Sequence, residues 1–406
     1  MNTIIGDGAS GCVYKPSLKC VENLPPSFYD NKVSKLMLES NANLELKQNN
    51  FFDKLDTNFD YHLEKSHNCK IGYAKNKDAI ELCNILEKSQ NGRTSKEAIP
   101  KKNKKNKKWS ALIQPYGGID LFQLFLVERD YEFLVPFLTN FKNMFLAVQL
   151  LEQNKYLHRD IKPANILYNP LTHRFNLIDF GLHRHMNTIL FNENQNFNQP
   201  LEYIFISIIV FKKMREKENF QPICKNKLED ILVNLEYDCS IPTIDPYFNE
   251  KIYTGLLSTI ESIRTGKITY NDFRNKSLHT FDSYSLGFTL MHVVKKNITS
   301  LPLQLSNELY HLAFSMIDSN LENRITIQQA ISKYEQIIGL FLKPQSSQSS
   351  IKATTPKKKQ TRKEVAIVAI CKKEINPFTG RYNKTCKNGY IRNEKFKCVK
   401  ESLSIQ

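Results

Sequence analysis

The sequence predicts an α+β protein of two unequal lobes, a small β-rich one followed by a larger, mainly helical one, with a small C-terminal appendage. Three observations carry that expectation. Residues 1 to about 109 mix short strand-like runs such as NKVSKLML with one or two helical stretches. From about Gly117 to Leu342 apolar residues recur mostly at helical spacing. Beyond Leu342 the composition turns to PQSSQSSIKATTPKKKQ, a polar, low-complexity linker. A chain of 406 residues, 41% hydrophobic, can bury a sizeable core.

In chain order, IIGDGASGCVYKP comes first, with Gly6, Gly8, Gly11 and Val13 in a GxGxxGxV pattern. Glycines so placed let the backbone N-H groups of a hairpin approach phosphate oxygens. Lys35 follows in an apolar, strand-like setting, where a buried ammonium needs an anionic partner. Glu45 in NANLELKQNN is the candidate, with Glu39 the alternative. Phe141, Met144, Phe145, Val148 and Leu151 then form one helical face leading into YLHRDIKPANILYN, a polar loop pinned between apolar runs. There Asp160 can orient and deprotonate an attacking hydroxyl, Lys162 can neutralise a transferring phosphoryl group, and Asn165 can hold a metal ion. Asp179, in LIDFG, is the second metal ligand of this reading. Phosphoryl transfer spreads negative charge over the transferring oxygens, so positioning, magnesium and cations do most of the work. FDSYSLGFTLMHVV is apolar almost all round, as a helix at the centre of a lobe should be, and ELYHLAFSMID supplies Leu309, Leu312, Ala313, Met316 and Ile317.

The net charge of +16 is unevenly spread. Residues 344–406 carry fifteen Lys and Arg against four Glu, and KKNKKNKKW adds six lysines between Lys101 and Lys108, leaving the remainder close to neutral. Such lysine blocks lack interleaved aromatics and are read as solvated loops rather than nucleic-acid sites. Nucleic acid is a possible but unfavoured partner. Nine cysteines without CxxC spacing are read as free thiols in a reducing compartment, and zinc is not expected. No run of 18 consecutive apolar residues and no signal-peptide pattern is present, so no membrane partner is expected and the protein should be soluble and not secreted.

A Gly-rich loop, a strand lysine, HRDxKxxN and DFG, in that order, resemble the signature set of a protein kinase, over about Ile4 to Leu342. The resemblance implies a bilobal protein-kinase-like fold, ATP and Mg2+ as cofactors, and protein substrates. It makes LIQPYGGIDL the hinge between lobes, with Gln114 to Tyr116 offering backbone groups to adenine and Asp120 meeting a ribose hydroxyl. It makes Asp282 the residue that ties down the catalytic-loop backbone, and pairs Arg324 with a glutamate, here Glu202 in QPLEY. Lys162, two positions after Asp160, follows the serine/threonine pattern rather than the tyrosine one. The sequence departs from the family in its ten-residue step from Lys35 to Glu45, in PLE where APE is usual, and in the roughly eighty residues between Glu202 and Asp282.

The tail CKKEINPFTGRYNKTCKNGYIRNEKFKC, with Cys371, Asn376-Pro377, Gly380 and Cys398, resembles the two-cysteine adaptor module on proteins of large DNA viruses, including iridovirus-type kinases. The expected organisation is a kinase domain over 1–342 (lobes about 1–115 and 117–342, insertions about 75–108 and 205–278), a flexible basic linker over 343–364 and an adaptor-like module over 365–400 that docks a partner. The resemblance further implies a viral enzyme in the host cell cytoplasm, possible also in the virion. The rival readings are a pseudokinase scaffold, a small-molecule phosphotransferase and a basic nucleic-acid-binding protein. Against the pseudokinase stands the presence of Lys35, Asp160, Asn165 and Asp179 together.

Overall fold

A computed structural model describes residues 2–8, 11–83, 86–88, 94–98, 101–189, 246–342, 390–392 and 398–400. The glycine-rich start forms a hairpin of β1 (Thr3–Gly8) and β2 (Gly11–Lys15), and β2 pairs with β3 (Lys32–Leu38). Helix α1 (Glu39–Leu55) begins at the residue after β3. Next come β4 (His67–Ile71), α2 (Lys77–Leu82), a hairpin of β5 (Leu86–Lys88) and β6 (Thr94–Ala98), α3 (Lys101–Lys104) and β7 (Trp109–Pro115). The first lobe is a five-stranded antiparallel sheet in the order β1-β2-β3-β7-β4. Cys12, Tyr14, Leu36, Leu38, Trp109, Ala111 and Ile113 share its core.

The second lobe starts with β8 (Ile119–Asp120), α4 (Leu121–Leu124) and α5 (Tyr131–Gln153), the last capped by Asp130, whose carboxylate accepts from the Phe133 amide at 2.8 Å. By length and composition α5 is apolar enough to cross a membrane; here it packs against other core elements, with Phe137, Phe141, Phe145 and Leu151 fully buried. Short strands β9 (Tyr156–Leu157), β10 (Ile166–Asn169), β11 (Arg174–Leu177) and β12 (Arg184–His185) frame the polar loop: β8, β10 and β11 form one sheet, β9 and β12 another. Helices α6 (Pro246–Arg264), α7 (Tyr270–His279), α8 (Phe281–Lys296), α9 (Leu303–Met316) and α10 (Ile327–Phe341) complete it. Every residue of α8 from Phe281 to Val294 is buried, as its all-round apolar sequence predicts. Capping boxes at Thr269/Asp272 and Thr326/Gln329 start α7 and α10. In the C-terminal unit, 345–406, β13 (Tyr390–Arg392) pairs with β14 (Cys398–Lys400). The rest of the expected linker and adaptor module, including Cys371, lies outside the described residues, as do Glu202 and residues 205–245 of the second insertion.

Two expectations are corrected. The cysteines are not all free thiols: Cys12 is bonded to Cys83 and Cys20 to Cys69. Both bridges close loops inside the first lobe, of 71 and 49 residues, a pairing that no local spacing announces. Cys20 and Cys69 also lie beside Glu22 in a three-ligand group, but sulfurs bonded to each other are not thiolate ligands. The lysine block is not uniformly solvated either. Lys105 and Lys108 are exposed, whereas Lys104 is 2% exposed and its ammonium donates to the carbonyls of Ile80 (3.0 Å), Glu81 (2.9 Å) and Cys83 (2.6 Å). Those carbonyls close α2, whose last turn would otherwise leave them unpaired. Within the expected insertion at 75–108 the buried cation thus joins α3 to the end of α2, and the Cys12–Cys83 disulfide binds that end to the sheet core.

Candidate active site

β3 and α1 bring the first charges together. Lys35, paired across the sheet with Val13 and Leu112, reaches Glu45 two turns into α1, with Nζ at 2.8 and 2.7 Å from the two carboxylate oxygens. The ten-residue step suffices because no loop separates strand from helix. Glu39, at the start of α1, does not take this place. Burial opposes the Lys35 charge, but Glu45 and Asp179 outweigh it and raise the lysine above its ordinary value.

The polar loop is held from below. Asp282, 2% exposed near the start of α8, accepts the amides of His158 (2.6 Å) and Arg159 (3.0 Å). Burial pushes its carboxyl up, against the lowering effect of His158 and Arg159. His158 accepts at Nδ1 from the Asp160 amide (3.3 Å) and donates from Nε2 to the Ile178 carbonyl (3.1 Å), the tautomer that satisfies both partners. The loop is thereby tied to the strand end that carries Asp179. On top of this base the Asp160 carboxylate accepts from Lys162 Nζ (2.9 and 3.2 Å) and from Asn165 Nδ2 (2.8 Å). Asn165 Nδ2 also donates to the Asp160 carbonyl at 2.8 Å, so both amide protons serve Asp160 and the side-chain oxygen is what Asn165 offers a cation.

Asp179 has φ 65° and ψ 69°, a left-handed conformation uncommon outside glycine, and accepts from the Gly181 amide at 3.3 Å. Phe180 is 3% exposed and stacks on Phe52 of α1 at 4.5 Å, with His158 at 5.0 Å. Gln48 donates to the Gly181 carbonyl at 3.2 Å. His183 donates from Nδ1 to the Phe180 carbonyl at 2.6 Å and stacks on Phe51 at 4.7 Å. Burial pushes His183 below its ordinary value, although the Phe180 carbonyl acts to raise it. Sequence reasoning missed Gln48, Phe51, Phe52 and His183; the helical spacing of Glu45, Gln48 and Phe52 on one face of α1 is the signal that could have found the first and third. Nearby, His62 is gripped on both ring nitrogens, by Asp56 and Asp53 at 2.8 Å each. Burial works against the Asp56 carboxylate, but His62 and the amides of Tyr61 and Asp60 hold it below the usual range.

The nucleotide-facing expectations fare unevenly. Gly6 pairs with Val13 and Gly8 with Gly11, while residues 9 and 10 at the hairpin tip lie outside the described residues. Gly11 has a packing reason for lacking a side chain, since a Cβ there would sit 2.6 Å from the Leu36 carbonyl oxygen. Among the backbone groups of Gln114 to Tyr116 expected to serve adenine, the Tyr116 amide donates to the Asn31 carbonyl at 3.0 Å, and the Tyr116 ring lies under Lys15 Nζ at 3.4 Å. Gln114 pairs with Val33 in the sheet and accepts from Ser66 at 2.9 Å through Oε1. Asp120 is half-buried, its carboxyl pushed up by burial, and caps α4 by accepting from the Gln123 amide at 2.9 Å. Gly118, at φ +108°, is required: a Cβ would lie 2.1 Å from the Tyr168 carbonyl oxygen where the chain after β7 crosses β10. Arg324, 3% exposed, donates to the Asp318 carbonyl at 2.8 Å and lies over the Tyr284 ring.

The oxygen donors of Asn165 and Asp179 suit magnesium, a hard cation, and the Lys35 ammonium suits phosphate, so the residues present fit both expected groups. Residues 131–204, from the start of α5 through both loops, match the protein kinase domain family. The chain is 35% identical over 79 residues to the non-specific serine/threonine protein kinase Cdc7 of Drosophila melanogaster (19% of this chain, 11% of that protein). It is 35% identical over 75 residues to the probable serine/threonine-protein kinase cdc7 of Dictyostelium discoideum (18% and 7%), and 45% over 40 residues to the cell division cycle 7-related protein kinase of Mus musculus (10% and 7%). The chain thus spans about a tenth or less of the length of these relatives.

Proposed function

We propose that this protein is a serine/threonine protein kinase that transfers the γ-phosphate of ATP to protein hydroxyls. The observation that carries the reading is the convergence of two charge clusters, Lys35–Glu45 reinforced by Asp179, and Asp160 bonded to Lys162 and Asn165. When bound, ATP with magnesium supplies the phosphoryl group and the cation that offsets its charge. Lys35, kept charged by Glu45, holds nucleotide phosphates; Asn165 and Asp179 present the oxygens that would hold the ion. Asp160 orients a substrate hydroxyl and takes its proton, while Lys162, already against that carboxylate, offsets charge on the transferring oxygens. The base is rigid because Asp282 and His158 fix the loop backbone from beneath.

The resemblance of the tail further supports a viral enzyme acting in the host cell cytoplasm, docked to its partner through residues 365–400. A flexible tether raises the effective concentration of a docked substrate without entering the chemistry. Incubation of the purified full chain with labelled ATP, magnesium and a generic basic protein is expected to yield phosphoserine or phosphothreonine. Asp160→Asn should abolish the signal. Equal incorporation by that variant would refute the assignment of the base, and no incorporation by the parent would favour a scaffold.

A further inference from the structure

We infer that His183 is a positioning residue for Asp179, acting through the turn 179–183 and through α1, an inference that rests on the kinase reading above. α1 grips this turn at three successive points: Phe52 on Phe180 (4.5 Å), Gln48 on the Gly181 carbonyl (3.2 Å) and Phe51 on His183 (4.7 Å, planes 9° apart). Only the third point also closes the turn on itself. The Phe180 carbonyl accepts from the His183 backbone amide at 3.2 Å and from its Nδ1–H at 2.6 Å. Phe51 in turn lies on Tyr156 at 4.1 Å, and Tyr156 meets His185 at 4.9 Å, so the imidazole ends a stack that runs from the turn through α1 to the strand before the Asp160 loop.

A turn held this way matters because Asp179 occupies the left-handed region, which costs a non-glycine residue about 1–2 kcal/mol and persists only where the surroundings enforce it. Loss of the His183 contacts loosens the turn and lets Asp179 relax towards ordinary backbone angles, taking its carboxylate away from the Lys35 charge that it faces. His183 does this with two separable properties, a donor at Nδ1 and a flat ring face. Asparagine keeps a donor without the face; phenylalanine keeps the face without the donor.

The test uses the full chain and the variants His183→Ala, His183→Asn and His183→Phe. Calorimetric titration with ATP is run with and without Mg2+, beside amide hydrogen exchange over residues 179–183 in the absence of nucleotide. In the parent, Mg2+ should tighten ATP binding. H183A should bind metal-free ATP as the parent does but lose about tenfold of the tightening, the scale on which partners behind a metal ligand act. H183N and H183F should each recover part of it, and the melting temperatures of all four should agree within about 2 °C, about 1 kcal/mol or less for a unit of this size. Exchange of the 180–183 amides should quicken in H183A. Unchanged Mg2+ tightening or unchanged exchange in H183A overturns the inference. A parent that binds no ATP overturns the kinase reading instead, and the exchange result then still decides whether His183 holds the turn.

Discussion

Replacing Lys104 by Met is expected to destabilise the first lobe by about 3 kcal/mol. The ammonium makes three bonds, at 3.0, 2.9 and 2.6 Å, to the carbonyls of Ile80, Glu81 and Cys83. Leaving a buried carbonyl without its donor costs about 1–3 kcal/mol, about 3–9 for three. Against this, methionine escapes the several kcal/mol of burying a charge. The lower end of the range, about 3 kcal/mol, is the expected cost. The assay is built into the lobe: Trp109, the chain's single tryptophan, is 3% exposed and donates from its indole to the Lys104 backbone carbonyl at 2.8 Å. Urea unfolding followed by its emission should therefore move to a lower midpoint in K104M. Lys105→Met, at an exposed position of the same block, should stay within about 0.5 kcal/mol of the parent. Coincident curves for K104M, K105M and parent would refute the argument that a buried cation closes α2.

Three further outcomes are expected. Cys12→Ser should lower stability under non-reducing conditions by about 4 kcal/mol on the chain-entropy account of a 71-residue loop, and alkylation of unreduced, denatured parent should leave Cys12 and Cys83 unmodified; labelled thiols there would contradict the bridge. Asp282→Asn turns one acceptor of two buried amides into a donor, so it should cost about 1–3 kcal/mol by thermal melting and depress phosphorylation at least tenfold; parent-like turnover would argue against the loop being held from beneath. His279 is raised by its hydrogen bond to Glu152, with burial opposing, so its contribution is complete below the unfolded value of about 6.5 and fades as pH rises through the higher folded value. His279→Gln should accordingly cost about 0.3–0.5 kcal/mol at pH 5.5 and almost nothing at pH 9, a small effect because the pair is half exposed; a larger cost at pH 9 would reverse the sign of the reasoning.

What could be read from the sequence was what repeats or clusters locally. The face of α5 from Phe141 to Leu151, the all-round burial of α8, and the grouping of Asp160, Lys162 and Asn165 within six residues follow from short-range order. The Lys35–Glu45 pair was legible because strand and helix adjoin. The disulfides and the Lys104 cluster were not, because each joins residues 21 to 71 apart and depends on how the sheet places β2, β4 and α2. The bond of the Tyr116 amide was hidden for the same reason: its partner, Asn31, sits 85 positions earlier, beside the opening of β3.

The direct passage from β3 into α1 constrains how this site can move. Leu38 still pairs with Trp109, and the amide of Glu39, the first helical residue, donates to the Lys108 carbonyl at 3.0 Å. A swinging helix needs slack at its root, a few residues whose dihedral angles can absorb the movement. Here the root is stitched to the neighbouring strand, so α1 behaves as a fixed spoke of the sheet. Withdrawing Glu45 from Lys35 would require peeling the end of β3 off β7, whereas the far end of α1, at Phe51 and Phe52, rests on the loop side and is free of that seam. Freedom to move in such a molecule falls to the distal end of the spoke and the turn it touches, away from the lysine–glutamate contact near its root.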